Sequence, residues 1–192
     1  MGESVTIVDY RAGNLTSVRY AFEALGVEAR VTRDAGEIRA ARRVVFPGVG
    51  AAGSAMANLR AMGLESAVRE AADVERPFLG ICLGMQILFE RSEEDGGTDT
   101  LGVLPGRVRR FPDDVPGCKV PQLGWNQVNG GREYYFVHSY YAELGEFTAG
   151  TTEYAGVTFT SFVRKGRLWA CQFHPEKSGR AGLALLKEFL SC

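Results

Sequence analysis

Apolar and polar positions along the first ninety residues alternate between two periods. Val5 to Asp9 is a short apolar run that reads as a buried strand, closed by Tyr10-Arg11-Ala12-Gly13. Asn14 is a good helix N-cap, and Leu15, Val18, Phe22 and Leu25 then recur on one helical face up to Gly26. Val27 to Thr32 reads as a second strand, and Asp34 caps a short predicted helix through Ala40. Val44-Val45-Phe46 is a third strand, ending at Pro47-Gly48-Val49-Gly50. Helical spacing returns around Met56, Leu59 and Met62, and again from Leu64 to Ala72. Phe78-Leu79-Gly80-Ile81 is a fourth strand, leading into a helix predicted from about Met85 to Arg91.

The pattern changes after the polar stretch Ser92 to Thr100. Segments rich in Val, Tyr, Phe and Thr follow one another with little helix between them, most clearly Tyr134 to His138, Val157 to Val163 and Leu168 to Phe173. Arg164-Lys165-Gly166-Arg167 makes an antiparallel hairpin of the last two. A final helix runs from about Gly179 to Leu190, with Leu183, Leu186 and Leu190 on one face. Strands alternating with helices call for βαβ units and a parallel sheet. The expected fold is α/β, a mostly parallel central sheet with flanking helices and antiparallel strands in the C-terminal half. With neither a repeat nor a Pro/Gly-rich linker, residues 1–192 are expected to form one domain.

Composition narrows the class. Of 192 residues, 45% are apolar and 23% charged, with a formal net charge of −1. That is an ordinary soluble globule with no reason to attract nucleic acid or anionic membrane. Arginines are frequent between Arg11 and Arg60, but acids lie among them, as on a solvated surface. Met1 to Val5 lacks the makings of a signal peptide, and no apolar run reaches membrane length. Cys82, Cys118, Cys171 and Cys192 are irregularly spaced, fitting a reducing cytoplasm better than a disulfide framework. No Cys-x-x-Cys or histidine cluster offers a metal site.

Three segments at predicted strand ends carry chemistry. Gly80-Ile81-Cys82-Leu83-Gly84 has the form of a nucleophile elbow with cysteine as nucleophile. Small neighbours relieve the sharp turn, and a following helix would aim its N-terminus at the sulfur and favour thiolate. The bland alternative is a small buried apolar residue. A cysteine nucleophile needs a base, and the chain has two histidines, so the base is His174, His138 or neither. His174 ends an apolar strand, and in extended backbone Glu176, two residues on, would share its side and orient the imidazole. His138 lies in an aromatic strand with no acid near it in sequence and reads as structural or substrate-lining. Gly48, Val49 and Gly50 would supply backbone N–H groups to an oxyanion; taken alone, they are a plain turn.

Gly-Ile-Cys-Leu-Gly-Met-Gln (80–86) and Gln-Phe-His-Pro-Glu-Lys (172–177) resemble the two catalytic segments of the class I (triad) glutamine amidotransferases. Asp-Tyr-Arg-Ala-Gly-Asn (9–14), Pro-Gly-Val-Gly (47–50), Leu-Gly-Trp-Asn (123–126) and Tyr-Phe-Val-His-Ser-Tyr (135–140) are similar, within that family, to the glutaminase subunits of imidazole glycerol phosphate synthase. The resemblance covers about Val5 to Leu190 and implies a flavodoxin-like fold. It implies Cys82 as nucleophile, His174 as general acid/base and Glu176 as its orienter. Gln86, His138, Ser139 and Tyr140 would contact L-glutamine, with backbone contacts from Gly50 and Leu83. No cofactor is implied.

The implied partner is a (β/α)8 cyclase subunit that consumes the ammonia, with imidazole glycerol phosphate and an aminoimidazole carboxamide ribotide as products. Asn14, Trp125 and Lys177 become candidates for the partner-facing rim, although Trp125 reads equally as core. Such subunits are nearly silent alone; Val49, lacking glycine's freedom, would hold its carbonyl toward the site until the partner binds. Glycine is frequent in the family where this chain has Arg11, so the loop is expected not to need a left-handed residue there. Methionine is frequent at Leu123. The rival readings are a glutaminase of another pathway, a non-catalytic module that keeps the pocket, and a redox or peptidase cysteine protein.

Overall fold

The computed structural model describes residues 4–73 and 75–192, so Met1–Glu3, part of the segment read above for a signal peptide, lie outside it. The first half is β1 (Ser4–Val8), α1 (Leu15–Glu23), β2 (Glu28–Thr32), α2 (Ala35–Ala40), β3 (Val44–Gly48), α3 (Ala52–Ala61), α4 (Glu65–Asp73), β4 (Phe78–Cys82) and α5 (Leu83–Gln86). Two of the expected caps are in place. Asn14 accepts from the Ser17 N–H at 3.3 Å and Asp34 from the Glu37 N–H at 2.8 Å, satisfying N–H groups that a helix start leaves open.

The second half holds β5 (Arg91–Ser92), β6 (Thr98–Asp99), β7 (Arg107–Arg110), β8 (Gln122–Gln127), β9 (Glu133–His138), β10 (Tyr140–Ala142), β11 (Thr148–Tyr154), β12 (Val157–Lys165), β13 (Leu168–Cys171) and α6 (Gly179–Leu190). One sheet runs β2-β1-β3-β4-β13-β12-β10-β7-β5-β6, with β11 also on β12. Its first five strands are parallel, and β12 against β13 is the expected hairpin, turning between Lys165 and Leu168. The α/β class, mostly parallel at its centre and antiparallel beyond, is the fold expected above. β8 and β9 form a separate antiparallel pair.

Alternation along the buried strands sorts the core into two layers. Val44, Phe46, Phe78, Leu168 and Ala170 face Ile38 of α2, Met56 and Leu59 of α3, and Val68 of α4. Val45, Leu79, Trp169 and Cys171 face Val18 and Phe22 of α1 and Leu186 and Phe189 of α6. Strands buried on both faces read as unbroken apolar runs for this reason. The surface arginines pair as expected, Arg39 with Glu70 and Arg60 with Glu65 among them. No helix among the described residues is long and apolar enough to cross a membrane.

Three expectations need correction. The helix after Cys82 spans Leu83–Gln86, a single turn, instead of Met85 to Arg91. Its continuation is lost because residues 100–104 compete for its carbonyls. The Leu101 N–H takes the Ile87 oxygen at 2.9 Å, the Gly102 N–H and Thr100 hydroxyl take that of Phe89, and Val103 and Leu104 take that of Leu88. Arg11 does lie in the left-handed region, at φ 64. Its N–H donates to Asp9 Oδ1 at 2.9 Å, and Asp9 Oδ2 accepts from Arg33, so the buried carboxylate imposes the turn. Finally, Pro175–Lys177 is a 3-10 turn, so His174 and Glu176 are not joined by extended backbone.

Candidate active site

The parallel register brings the three chemical segments together. Gly48 at the end of β3 lies beside Cys82 at the end of β4, and β13 delivers Gln172, Phe173 and His174 past the end of the next strand. Sites of open α/β sheets collect at such carboxyl ends.

Cys82 has φ 55 and ψ −112, a conformation that costs a non-glycine residue about 1–3 kcal/mol. Its neighbours must be small. A Cβ on Gly84 would stand 1.9 Å from the Phe46 carbonyl oxygen, and one on Gly80 would meet the Gly84 oxygen at 3.0 Å. A Cβ on Gly48 would collide with the Tyr10 hydroxyl at 2.2 Å. The strained turn is thus wedged between β3 and its own continuation, which is the elbow read from the sequence.

His174 Nδ1 lies 2.7 Å from Glu176 Oε1, and both side chains are nearly inaccessible. The turn at Pro175 brings them together, and the His174 N–H is anchored on the Tyr135 carbonyl at 2.9 Å. The other ring nitrogen, Nε2, is buried without a hydrogen-bond partner. Burial pulls the His174 pKa down, but the charge of adjacent Cys82, and then Glu176, outweigh it and carry it up to about 10. The imidazole is therefore held ready to keep a proton beside sulfur.

His138 is a different case. Nδ1 meets the Tyr140 carbonyl at 2.7 Å and Nε2 meets the Gln122 amide at 2.9 Å. Burial, opposed by the Tyr140 bond, lowers its pKa to about 4, so the ring is neutral near pH 7. A carbonyl can only accept, so Nδ1 carries the proton and Nε2 must accept from Gln122, whose amide then presents its NH2 group. Both nitrogens are occupied, leaving His174 as the histidine with a free basic position. Cys171, the other buried cysteine in the central sheet, donates to the Gly80 carbonyl, and burial raises its pKa well above the usual thiol value. Cys82 is the thiol that reaches a cavity.

That cavity, of about 300 Å³, is lined by Val49, Gly50, Cys82, Leu83, Gln86, His138, Ser139, Tyr140 and His174, together with Glu94, Pro121 and Val137. It unites every catalytic and substrate-contact residue expected from the sequence except Gly48, beneath the loop, and Glu176, behind His174. Glu94, Pro121 and Val137 were not anticipated. Glu94 sits in the polar stretch after α5, where no periodicity marks it. It accepts from the Ala52 N–H at 2.7 Å; burial raises its pKa while that bond opposes the rise.

Of the three rim candidates, Trp125 is 57% exposed and therefore not core, and Leu123 on the same side of β8 is 66% exposed. Trp125 packs edge-on against Tyr135, and the exposed Lys177 holds its ammonium 5.9 Å from the centre of the same ring. Asn14 is exposed and engaged in capping α1.

Residues 6–191 match the family model described as glutamine amidotransferase class-I. The chain is 49% identical to imidazole glycerol phosphate synthase subunit HisH of Moorella thermoacetica, over 96% of this chain and 93% of that relative. It is 47% identical to the subunit of the same name from Dehalococcoides mccartyi, over 96% and 95%. Among solved structures, a glutamine amidotransferase crystal structure aligns with a TM-score of 0.73 at 22% identity, over 97% of this chain and 99% of that one. PurLQS from Thermotoga maritima aligns with a TM-score of 0.70 at 15% identity, over 100% and 99%, and supports the fold alone. With its elbow cysteine, buried histidine and carboxyl-end cavity, the chain belongs to the class-I glutamine amidotransferases, in the branch of the HisH subunits of imidazole glycerol phosphate synthase.

Proposed function

We propose that this chain, acting as one domain over residues 1–192, hydrolyses L-glutamine to L-glutamate and ammonia through a glutamyl thioester on Cys82. The observation that carries the reading is the shared cavity of Cys82 and His174, with Nε2 of His174 left free and Nδ1 held by Glu176. Cys82 Sγ attacks the side-chain amide carbon, and the thiol proton resides on His174 Nε2. The tetrahedral oxyanion is stabilised by N–H groups of the Gly48-Val49-Gly50 loop and of Leu83. Collapse breaks the C–N bond as His174 protonates the leaving nitrogen, releasing ammonia. Water then adds to the thioester, giving its proton to His174, and C–S cleavage frees glutamate and the cysteine.

Substrate recognition follows from the same lining. Glu94, the acid in the cavity wall, suits the substrate α-ammonium, and Ser139, Tyr140 and Gln86 supply polar contacts. Ammonia passes to a (β/α)8 cyclase subunit, where imidazole glycerol phosphate and an aminoimidazole carboxamide ribotide are formed in histidine biosynthesis. Trp125, Lys177 and Asn14 belong to the rim that meets this partner. Val49, 43% exposed on the oxyanion loop, turns its peptide toward the substrate when the partner binds. The cytoplasm is the compartment that suits four free cysteines.

The test is glutamate release from L-glutamine by the chain alone and with a cyclase subunit and its nucleotide substrate. Slow release alone, a sharp rise in the complex and abolition by Cys82→Ser are expected. Turnover indifferent to the cyclase would assign the glutaminase to another pathway, and turnover retained by Cys82→Ser would overturn the thioester.

A further inference from the structure

The single-turn α5 leaves the Cys82 sulfur without the macrodipole of a long helix behind it, since a macrodipole sums over aligned peptides. What faces the sulfur besides His174 is the Val137 carbonyl, 3.9 Å from Sγ, and the side chain of Gln172, fully buried, with Nε2 3.7 Å from Sγ; of these two only the Gln172 amide can donate. A polar chain fixes the direction of that amide. Gln86 Nε2 donates to the Tyr140 carbonyl at 2.8 Å and to Gln172 Oε1 at 3.0 Å. The Tyr140 carbonyl can only accept, so the NH2 group of Gln86 is assigned without ambiguity. The atom of Gln172 that meets it must then be oxygen, which leaves Nε2 of Gln172 to point at Cys82.

We infer that Gln172 is a positioning residue for the reaction: its buried amide, aimed by Gln86, donates to Sγ of Cys82 and stabilises the thiolate. The inference rests on the proposed role of Cys82 as nucleophile and adds to it a donor other than His174. A donor to an anionic sulfur is worth more than one to a neutral thiol, above all where water is excluded. The same chain ties the sulfur to strand β10, because Tyr140, whose carbonyl starts it, also lines the cavity. Gln172 itself is held by its backbone N–H on the Ser161 carbonyl at 2.9 Å, so its side chain hangs from a fixed point.

The experiment is the rate of Cys82 alkylation by iodoacetamide in the full chain between pH 5 and 10, read by mass spectrometry of the Cys82 peptide without glutamine. Gln172→Met keeps the length and removes the donor. It should move the midpoint up by about one pH unit, making alkylation at pH 6 roughly tenfold slower. Gln172→Glu places an acceptor against the sulfur and should move it further. Gln86→Met leaves Gln172 in place and removes the bond that aims it together with the one to the Tyr140 carbonyl, so a smaller upward shift is expected; it also serves if both Gln172 variants fail to fold. An unmoved midpoint in any folded member of this set overturns the inference, because a merely structural amide would change stability and not titration. Failure of the underlying reading is separable: turnover surviving in Cys82→Ala would remove Cys82 from the chemistry, whatever its alkylation profile.

Discussion

Glu176 Oε1 lies 2.7 Å from Nδ1 of His174 with both side chains 2% exposed. In so dry a setting the carboxylate fixes the ring and stabilises its protonated form, and its other oxygen, Oε2, is buried without a partner. Glu176→Gln keeps an oxygen for Nδ1–H and removes the charge. We expect kcat for glutaminase turnover to fall about 10²-fold, against about 10³–10⁴-fold for His174→Ala. Circular dichroism should find both variants folded. Parent-like turnover in the His174 variant would transfer the role to another group.

Burial gives His138 a folded-state pKa of about 4 against 6.5 when unfolded. The unfolded chain therefore takes up the proton first as pH falls. The stability that neutral His138 contributes is fully present above pH 6.5 and is lost between there and about pH 4. At pH 4.5 the loss should reach roughly 2–3 kcal/mol. Urea denaturation at pH 7 and 4.5 should show a steeper drop for the parent than for His138→Asn. Parallel drops would place the titration elsewhere.

The Tyr10 hydroxyl is buried without a partner, pressed toward Gly48 at the end of β3. An unsatisfied hydroxyl costs about 1–3 kcal/mol, more than the small void left by its removal. Tyr10→Phe should stabilise the chain by about 1 kcal/mol, a rise in Tm of roughly 2–4 °C. A lowered Tm would mean that the hydroxyl is paired with ordered water.

Gly182 in α6 packs against the turn that joins His174 to Glu176. A Cβ there would stand 1.8 Å from the Pro175 carbonyl oxygen, and that is backbone that cannot swing aside. Gly182→Ala should cost about 3 kcal/mol and lower turnover more than tenfold in the molecules that still fold. Gly145→Ala, with nothing near its added methyl, is the control. Equal Tm and turnover in the two variants would show that α6 yields freely.

Arg11 pays for its left-handed backbone by roughly 1–2 kcal/mol, whereas glycine there would lose about 0.5–1 kcal/mol more chain entropy on folding. The first effect wins narrowly, so Arg11→Gly should stabilise by about 0.5 kcal/mol in urea titration. The Asp9 bond survives because it is made to the Arg11 backbone N–H. Destabilisation would imply that the arginine side chain contributes contacts of its own.

The centre of the parallel block, β3, β4 and β13, was legible because these strands are buried throughout and read as unbroken apolar runs. Cys82, His174 and the Gly48-Val49-Gly50 loop fell at those ends. What escaped the sequence depends on partners distant along the chain. Thr100 to Leu104 take the carbonyls that would have prolonged α5, and Arg33, 24 residues from Asp9, holds the carboxylate that turns Arg11 to positive φ. Glu94 reaches the cavity from a polar stretch whose pattern says only that it is solvated. Trp125, ambiguous by composition, is decided by the pairing of β8 with β9, which turns it outward beside Leu123.

The place of β13 between β4 and β12 has a consequence for biosynthesis of the chain itself. Cys82 and the Gly48-Val49-Gly50 loop leave the ribosome early, but His174 and the strand that flanks β4 emerge almost a hundred residues later. Until then β4, apolar on both faces, has one open edge that another nascent chain can pair with, and Cys82 lacks the base proposed for it. An interrupted translation product is therefore chemically harmless but sticky, work for a chaperone or a protease, and glutamine is safe from it.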